Sequence, residues 1–207
     1  MRKGEATKHM IIARTAAVLN QRGFYASSLA DIMAATGLEK GGIYNHFRGK
    51  DELALAAFDY SVSLTWACLR DGMRGKTNAI DRLMGLANAY CTMADDPPLP
   101  GGCPLLNTGV EAAGAHPALQ ARARAAMDAL RRFIEHIVAR GQERGEIRPE
   151  CDGAAFAPVL IGAIEGGVLF ARLYDDPRYV HRAVDHILHI IETELRATPH
   201  VPAVSAS

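Results

Sequence analysis

Apolar residues recur along the chain at helical spacing, and no segment shows the strict alternation of a half-buried strand. Ile11, Ile12, Ala16, Val18 and Leu19 predict a first helix over 7–22, with Gly23 placed as its C-terminal cap. Ser27 and Ser28 stand where an N-cap belongs, and Ser28 with Asp31 three residues on fits a capping box. The second helix then carries Leu29, Ile32 and Met33 and ends at Gly37. After the tight turn "TGLE" a third helix opens near Lys40 and stops by Phe47, where "RGK" interrupts. Two short helices joined in this way form a helix-turn-helix. A long helix follows from "KDELALAAF", its two first-turn acids favourable to the helix dipole.

Further helices are expected over 78–94, in "CPLLNTGVEAAG" after the Pro- and Gly-rich loop "DDPPLPGG", and from Pro117 to a stop at Gly145. Two more, "DGAAFAPVLIGAIEGGVLFARLYD" and "RYVHRAVDHILHIIETELRA", are separated by "DDP". The run 154–171 is apolar, yet it contains Pro158, three glycines and Glu165 at mid-span, which favours a buried helix over a membrane span. The expected fold is all-α, with about nine helices. A three-helix domain with the helix-turn-helix occupies 1–50, a helical body 51–197, and a disordered tail 198–207.

Composition changes this picture in one respect. The 207 residues are 49% hydrophobic and 22% charged with a net charge of zero, a profile of a helical soluble chain. Residues 1–50, however, hold eight Lys or Arg against three acids, leaving the body acidic by the same excess of five. A basic head on an acidic body suggests a polyanion-binding module joined to something else. Cys68, Cys91, Cys103 and Cys151 show no zinc or disulfide spacing, so reduced thiols, and with no signal-peptide pattern at the N-terminus a cytoplasmic protein, are expected.

The stretch "LEKGGIYNHF" sharpens the polyanion reading. Gly41 and Gly42 weaken a helix by roughly 0.5 to 1 kcal/mol each relative to Ala, which makes sense where backbone must approach another surface. Ile43 and Phe47 can hold such a helix to its domain, while Tyr44 and His46 can donate to phosphates and Asn45 can reach a phosphate or an adenine edge. Lys40 and Lys50 supply charge at the two ends. The alternative, core aromatics and a surface histidine, lacks an account of the charge asymmetry. With the preceding basic helix, "SSLADIMAATGLEKGGIYNHFRGKDEL" resembles the TetR family of bacterial transcriptional regulators over residues 7–55. The resemblance implies an N-terminal DNA-binding domain, a C-terminal ligand-binding and dimerisation domain, and a repressor working as a homodimer on double-stranded operator DNA. It places base reading on Lys40, Gly41 and Gly42 with Asn45 nearby, and phosphate contacts on Tyr44, His46, Lys50 and Ser27 or Ser28. Glu39 stands where a small hydroxyl residue is frequent in the family, and glycine reads no bases, so specificity falls to Lys40 and Asn45.

In the body, a small-residue seam at Gly162 and Gly166, with Gly167, and a stripe through Val184, Ile187, Leu188 and Ile191 suggest an intermolecular four-helix bundle. A small-molecule effector of unknown identity would sit among Trp66, Tyr90, Met93, Leu106 and Asn107, with Met127, Phe133, Phe170 and Tyr174. Glu165 within an apolar helix requires a partner, such as Arg131, Arg132 or Arg172, or else anchors a cationic or hydroxylated ligand. Cys103 at a helix N-terminus would have a lowered thiol pKa and could sense oxidants or electrophiles; a small buried hydrophobe is the bland alternative. His181, His186 and His189 read as solvated rather than metal-binding. No cofactor is implied. An enzyme is disfavoured, because no nucleophile elbow, phosphate loop, metal spacing or paired-carboxylate motif occurs.

Overall fold

Every named element among the described residues, 3–197, of the computed structural model is helical, apart from one isolated bridge between Ile147 and Arg196. The tail expected to be disordered lies outside those residues. The head comprises α1 (Lys3–Arg22), α2 (Leu29–Thr36) and α3 (Lys40–Tyr44). The capping box at α2 forms: Ser28 Oγ accepts from Asp31 N at 3.2 Å, and Asp31 Oδ2 accepts from Ser28 N at 2.8 Å. These two bonds satisfy orphan amides that a helix of eight residues could not otherwise afford. Gly37 closes it in a left-handed conformation.

α3 is shorter than expected. Glu39 makes no side-chain cap and two of the five residues are glycine, so local propensity is poor and tertiary packing must hold the turn. Ile43 and Phe47 do so by burying with Ile11, Ile32 and Leu53. Leu53 belongs to α4 (Lys50–Gly72), whose first turn therefore completes the head core while Leu69, near its other end, lies in the body core.

The body adds α5 (Ala79–Asp95), α6 (Pro104–Ala112), α7 (Pro117–Glu143), α8 (Gly153–Tyr174) and α9 (Arg178–Ile190), which widens into a π-helical turn over Ile191–Leu195. That turn keeps both Ile191 and Leu195 in the core. Val184, Ile187 and Ile191 are fully buried against residues of their own chain, including Leu83, Leu86 and Leu160. Their assignment to an intermolecular interface is thus corrected: the stripe of α9 is wide because α9 packs against α5 as well as α8.

Close crossings depend on glycine where backbones meet. A Cβ on Gly72 would lie 2.5 Å from Gly85 O, and one on Gly85 would lie 2.4 Å from Gly72 O. Gly85→Ala is therefore expected to destabilise the protein by about 1 to 3 kcal/mol through overpacking. Gly109→Ala, whose Cβ meets nothing within 4 Å, should be neutral or stabilising; urea unfolding of the two variants checks the contrast.

Candidate nucleic-acid interface and body cavity

The outer side of α3 is an exposed strip. Lys40, Gly41, Tyr44 and Asn45 face solvent, His46 is half-buried, and Lys40 Nζ stands 5.8 Å from the Tyr44 ring centroid. Neither glycine is required by the protein's own packing. A Cβ on Gly41 would meet nothing within 4 Å, one on Gly42 would make an ordinary 3.5 Å contact with Leu38 Cβ, and neither has positive φ. Ser28 stays at the surface at the start of α2.

Two residues assigned to phosphate contact are spent internally. Ser27 is 2% exposed and its hydroxyl donates to Gly23 O at 2.6 Å, which removes it from the surface set. Lys50 Nζ donates to the carbonyls of Phe24 and Ser27 and lies 4.2 Å from the Phe24 ring centroid, so its charge ties α4 to the α1–α2 turn.

That turn is also held from the body. Glu111 of α6 accepts from Phe24 N at 2.8 Å and Tyr25 N at 2.9 Å, and His116 packs edge-on against Phe24 with centroids 4.8 Å apart. At the end of α1, the buried Asn20 donates to Pro100 O and Gly102 O, both at 2.9 Å. Asn107 Nδ2 reaches Asn20 O at 3.1 Å and Gly101 O at 2.8 Å, and its Oδ1 accepts from Arg172 of α8. Gly101 needs both its positive φ of 108° and its missing side chain, since a Cβ would lie 2.4 Å from Asn20 O. Asn107, expected to touch a ligand, is instead a joint between head and body.

Above this joint lies a cavity of about 280 Å³ between α4, α5, α8, α9 and the loop before α6. Tyr90, Met93 and Cys103 line it as expected. Pro98, Leu99, Val168, Arg172 and Val180 line it without having been foreseen, although Val168 and Arg172 follow Glu165 at i+3 and i+7. Glu165 and Trp66 line a smaller void of about 10 Å³ that shares Thr65, Tyr90 and Cys103 with the cavity. Leu106 and Phe133 contribute to neither; Phe133 stacks edge-on against Trp66 at 5.3 Å.

The expected arginine partner of Glu165 is not there. Arg131 bonds Glu135 and Arg172 bonds Asn107, while Glu165 Oε2 has no hydrogen-bond partner and the residue is 7% exposed. Burial pushes the Glu165 carboxyl above its ordinary range, opposed by a hydrogen bond with Cys103. Burial first, and then the neighbouring Glu165, push the Cys103 thiol well above the usual range; the amides of Leu105 and Leu106 at the α6 N-terminus pull the other way and lose. The expected lowering of the Cys103 pKa is reversed, because desolvation of a thiolate outweighs two amide dipoles.

Phe170 and Tyr174 lie outside, not in the pocket. They are 48% and 62% exposed, and with Tyr179 they form a ring cluster on the surface. Val159, Gly162, Gly166, Leu169 and Leu173 continue this face of α8 at alternating steps of three and four residues. Gly167 instead faces inward, where a Cβ would lie 2.9 Å from Ala183 Cβ of α9. His186 and His189 are exposed, and His181 meets Asp95 at 2.9 Å.

Residues 11–57 match the family described as bacterial regulatory proteins, tetR family, and residues 79–187 match the tetracyclin repressor-like C-terminal domain. A TetR transcriptional regulator from Chloroflexus aurantiacus is 40% identical in structure-based comparison, with a TM-score of 0.92 over 96% of this chain and 100% of that one. A TetR family regulator from Cytophaga hutchinsonii is 31% identical, with a TM-score of 0.86 over 96% of this chain and 98% of that one. The HTH-type transcriptional repressor ComR of Escherichia coli is 27% identical over 186 residues, 87% of this chain and 83% of ComR.

Since no internal contact requires Gly41, Gly41→Ala should stabilise the folded protein by about 0.5 to 1 kcal/mol, read as a raised thermal midpoint. An unchanged or lowered midpoint would show that the fold itself needs the glycine.

Proposed function

Because the chain belongs to the TetR family of bacterial regulatory proteins, we propose that it is a ligand-responsive transcriptional repressor that binds a pseudo-palindromic operator as a homodimer. The observation that carries this is the outer strip of α3: charge, donors and bare backbone are presented together on a helix that Ile43 and Phe47 anchor from behind. A major groove about 12 Å wide admits such a helix. Gly41 and Gly42 then let the backbone approach, Tyr44, His46 and Ser28 meet phosphates, and Lys40 and Asn45 read bases. Lys50 acts at one remove, fixing the turn that orients α2 and α3 on α4.

The exposed face of α8 supports the homodimer. Leu169, Phe170, Leu173 and Tyr174 are each about half exposed or more, and a contiguous apolar face of this kind on a soluble chain calls for a cover. A second copy related by two-fold symmetry supplies the same face, with Gly162 and Gly166 permitting close approach. The helix has the length and hydropathy of a membrane span, but its other face carries core residues and the buried Glu165. A soluble, cytoplasmic dimer accounts for both sides.

Release follows from differential affinity of an effector for two head positions. The cavity shares Arg172 and Gly102 with the Asn107–Asn20 joint, so a ligand that displaces either wall acts on the end of α1. Non-covalent occupancy is favoured over oxidation at Cys103, whose buried thiol is held in its unreactive form.

With duplexes selected from a random pool, binding should weaken by about 10³-fold or more between about 50 and 200 mM salt. Tyr44→Ala should weaken it about tenfold to a hundredfold without lowering the thermal midpoint, whereas Lys50→Ala should lower both. Gly41→Ala should bind DNA less well despite its greater stability. Binding at full strength in both Tyr44→Ala and Gly41→Ala would refute the assignment of α3. Leu169→Glu with Leu173→Glu should sediment as a monomer; a dimer surviving that pair would move the interface elsewhere.

A further inference from the structure

Glu165 lines the small void that shares Thr65, Tyr90 and Cys103 with the cavity, on the same side of α8 as the cavity walls Val168 and Arg172. Its Oε2 has no partner, and no Lys, Arg or His lines the void. A carboxyl so placed leaves one hydrogen-bonding position unspent in either protonation state, and in its charged form it also lacks a counter-ion. Two aromatic side chains, Trp66 and Tyr90, line the same void, a setting that favours a cation over a neutral hydroxyl. Thr65 Oγ1 donates to Ser61 O and keeps lone pairs for a second N–H. The void of about 10 Å³ has room for one small polar group. The rest of the cavity is apolar around Met93, Leu99 and Val180, and the cation among its lining residues, Arg172, is exposed and hydrogen-bonded to the neutral amide of Asn107.

We infer that the effector is a small lipophilic amine, its apolar body in the α4–α5–α8–α9 cavity and its ammonium received by Glu165 between Thr65, Tyr90 and Trp66. This rests on the ligand-responsive role proposed above. The ammonium supplies both the missing hydrogen bond and the missing charge, and charge-assisted bonds are roughly twice as strong as neutral ones. An alcohol of the same shape supplies only the first.

Three probes of one shape test it: cyclohexylmethylamine, cyclohexylmethanol and cyclohexanecarboxylate, titrated calorimetrically into the full chain. The amine should bind about tenfold or more tighter than the alcohol, with the carboxylate weakest. Glu165→Gln should remove that advantage while leaving the alcohol's affinity in place. Met93→Trp, which fills the apolar end without touching Glu165, should weaken amine and alcohol alike. If Glu165→Gln does not fold, the wild-type ranking and Met93→Trp still decide. Equal binding of amine and alcohol, preference for the carboxylate, no binding of any probe, or full amine affinity in folded Glu165→Gln would overturn the inference and leave the void a water site. Release of a selected duplex, followed by fluorescence anisotropy, is read separately. Amine binding through Glu165 without release would refute the ligand-responsive role and keep the site. Release that ignores Glu165 would refute the amine and keep the role.

Discussion

The end of α1 cannot satisfy its own polar groups, and the body satisfies them for it. Asn20 is buried with its amide donating to two carbonyls of the loop before α6, and the backbone amides just beyond, at Phe24 and Tyr25, are capped by Glu111. A buried polar group left without a partner costs about 1 to 3 kcal/mol, so head and body cannot separate cheaply at this seam. Arg172 and Gly102 belong both to the seam and to the wall of the cavity, and Asn107 joins Arg172 to Asn20, so seam and cavity are built from the same residues.

The same rivalry of small terms decides the chemistry of the void beside the cavity. Cys103 caps α6, where amide dipoles stabilise a thiolate, yet it is enclosed beside a carboxyl that is itself enclosed. Desolvation acts on the whole ionic charge, while each amide offers only a partial one, so the enclosed thiol stays protonated. Glu165 and Cys103 thereby form a mutual but incomplete arrangement: the thiol occupies one side of the carboxyl and leaves Oε2 without a partner. α8 thus holds a buried carboxyl with one oxygen still open to a hydrogen bond.

Apolar surface is distributed with similar economy. α9 turns its whole stripe inward and is complete within one chain. α8 buries Leu160, Ile161 and Ile164 on one side and leaves Leu169, Phe170 and Leu173 on the other, so its second face is unfinished in a single chain. Gly167 belongs to the first side and Gly162 to the second. Glycines of one sequence run thus lie on opposite sides of the helix, one against α9 and one at the surface.

Much was legible from residue order alone. The 3.6-residue periodicity, Ser28 with Asp31, Gly37 and the Pro- and Gly-rich loop specify helix order because caps and breakers act within a few residues. The outer strip of α3 was readable for the same reason: Ile43 and Phe47 point one way, so Tyr44 and Asn45 must point another. Lys50 was misread because its partners, the carbonyls of Phe24 and Ser27, become neighbours only once α4 docks on the α1–α2 turn, whereas Ser27 turns back to Gly23 O within that turn itself. Phe170 and Tyr174 look like pocket aromatics until the packing of α9 fixes which side of α8 is inside. Asn107 and Glu111 carry no local signal of their role at the joint, since the head residues they bond, Asn20 and Phe24, stand more than 80 residues away. Periodicity determines that a helix has two faces; only the tertiary structure decides what each face meets, because burial, and with it every pKa and every hydrogen-bond requirement, depends on contacts between residues distant in the chain.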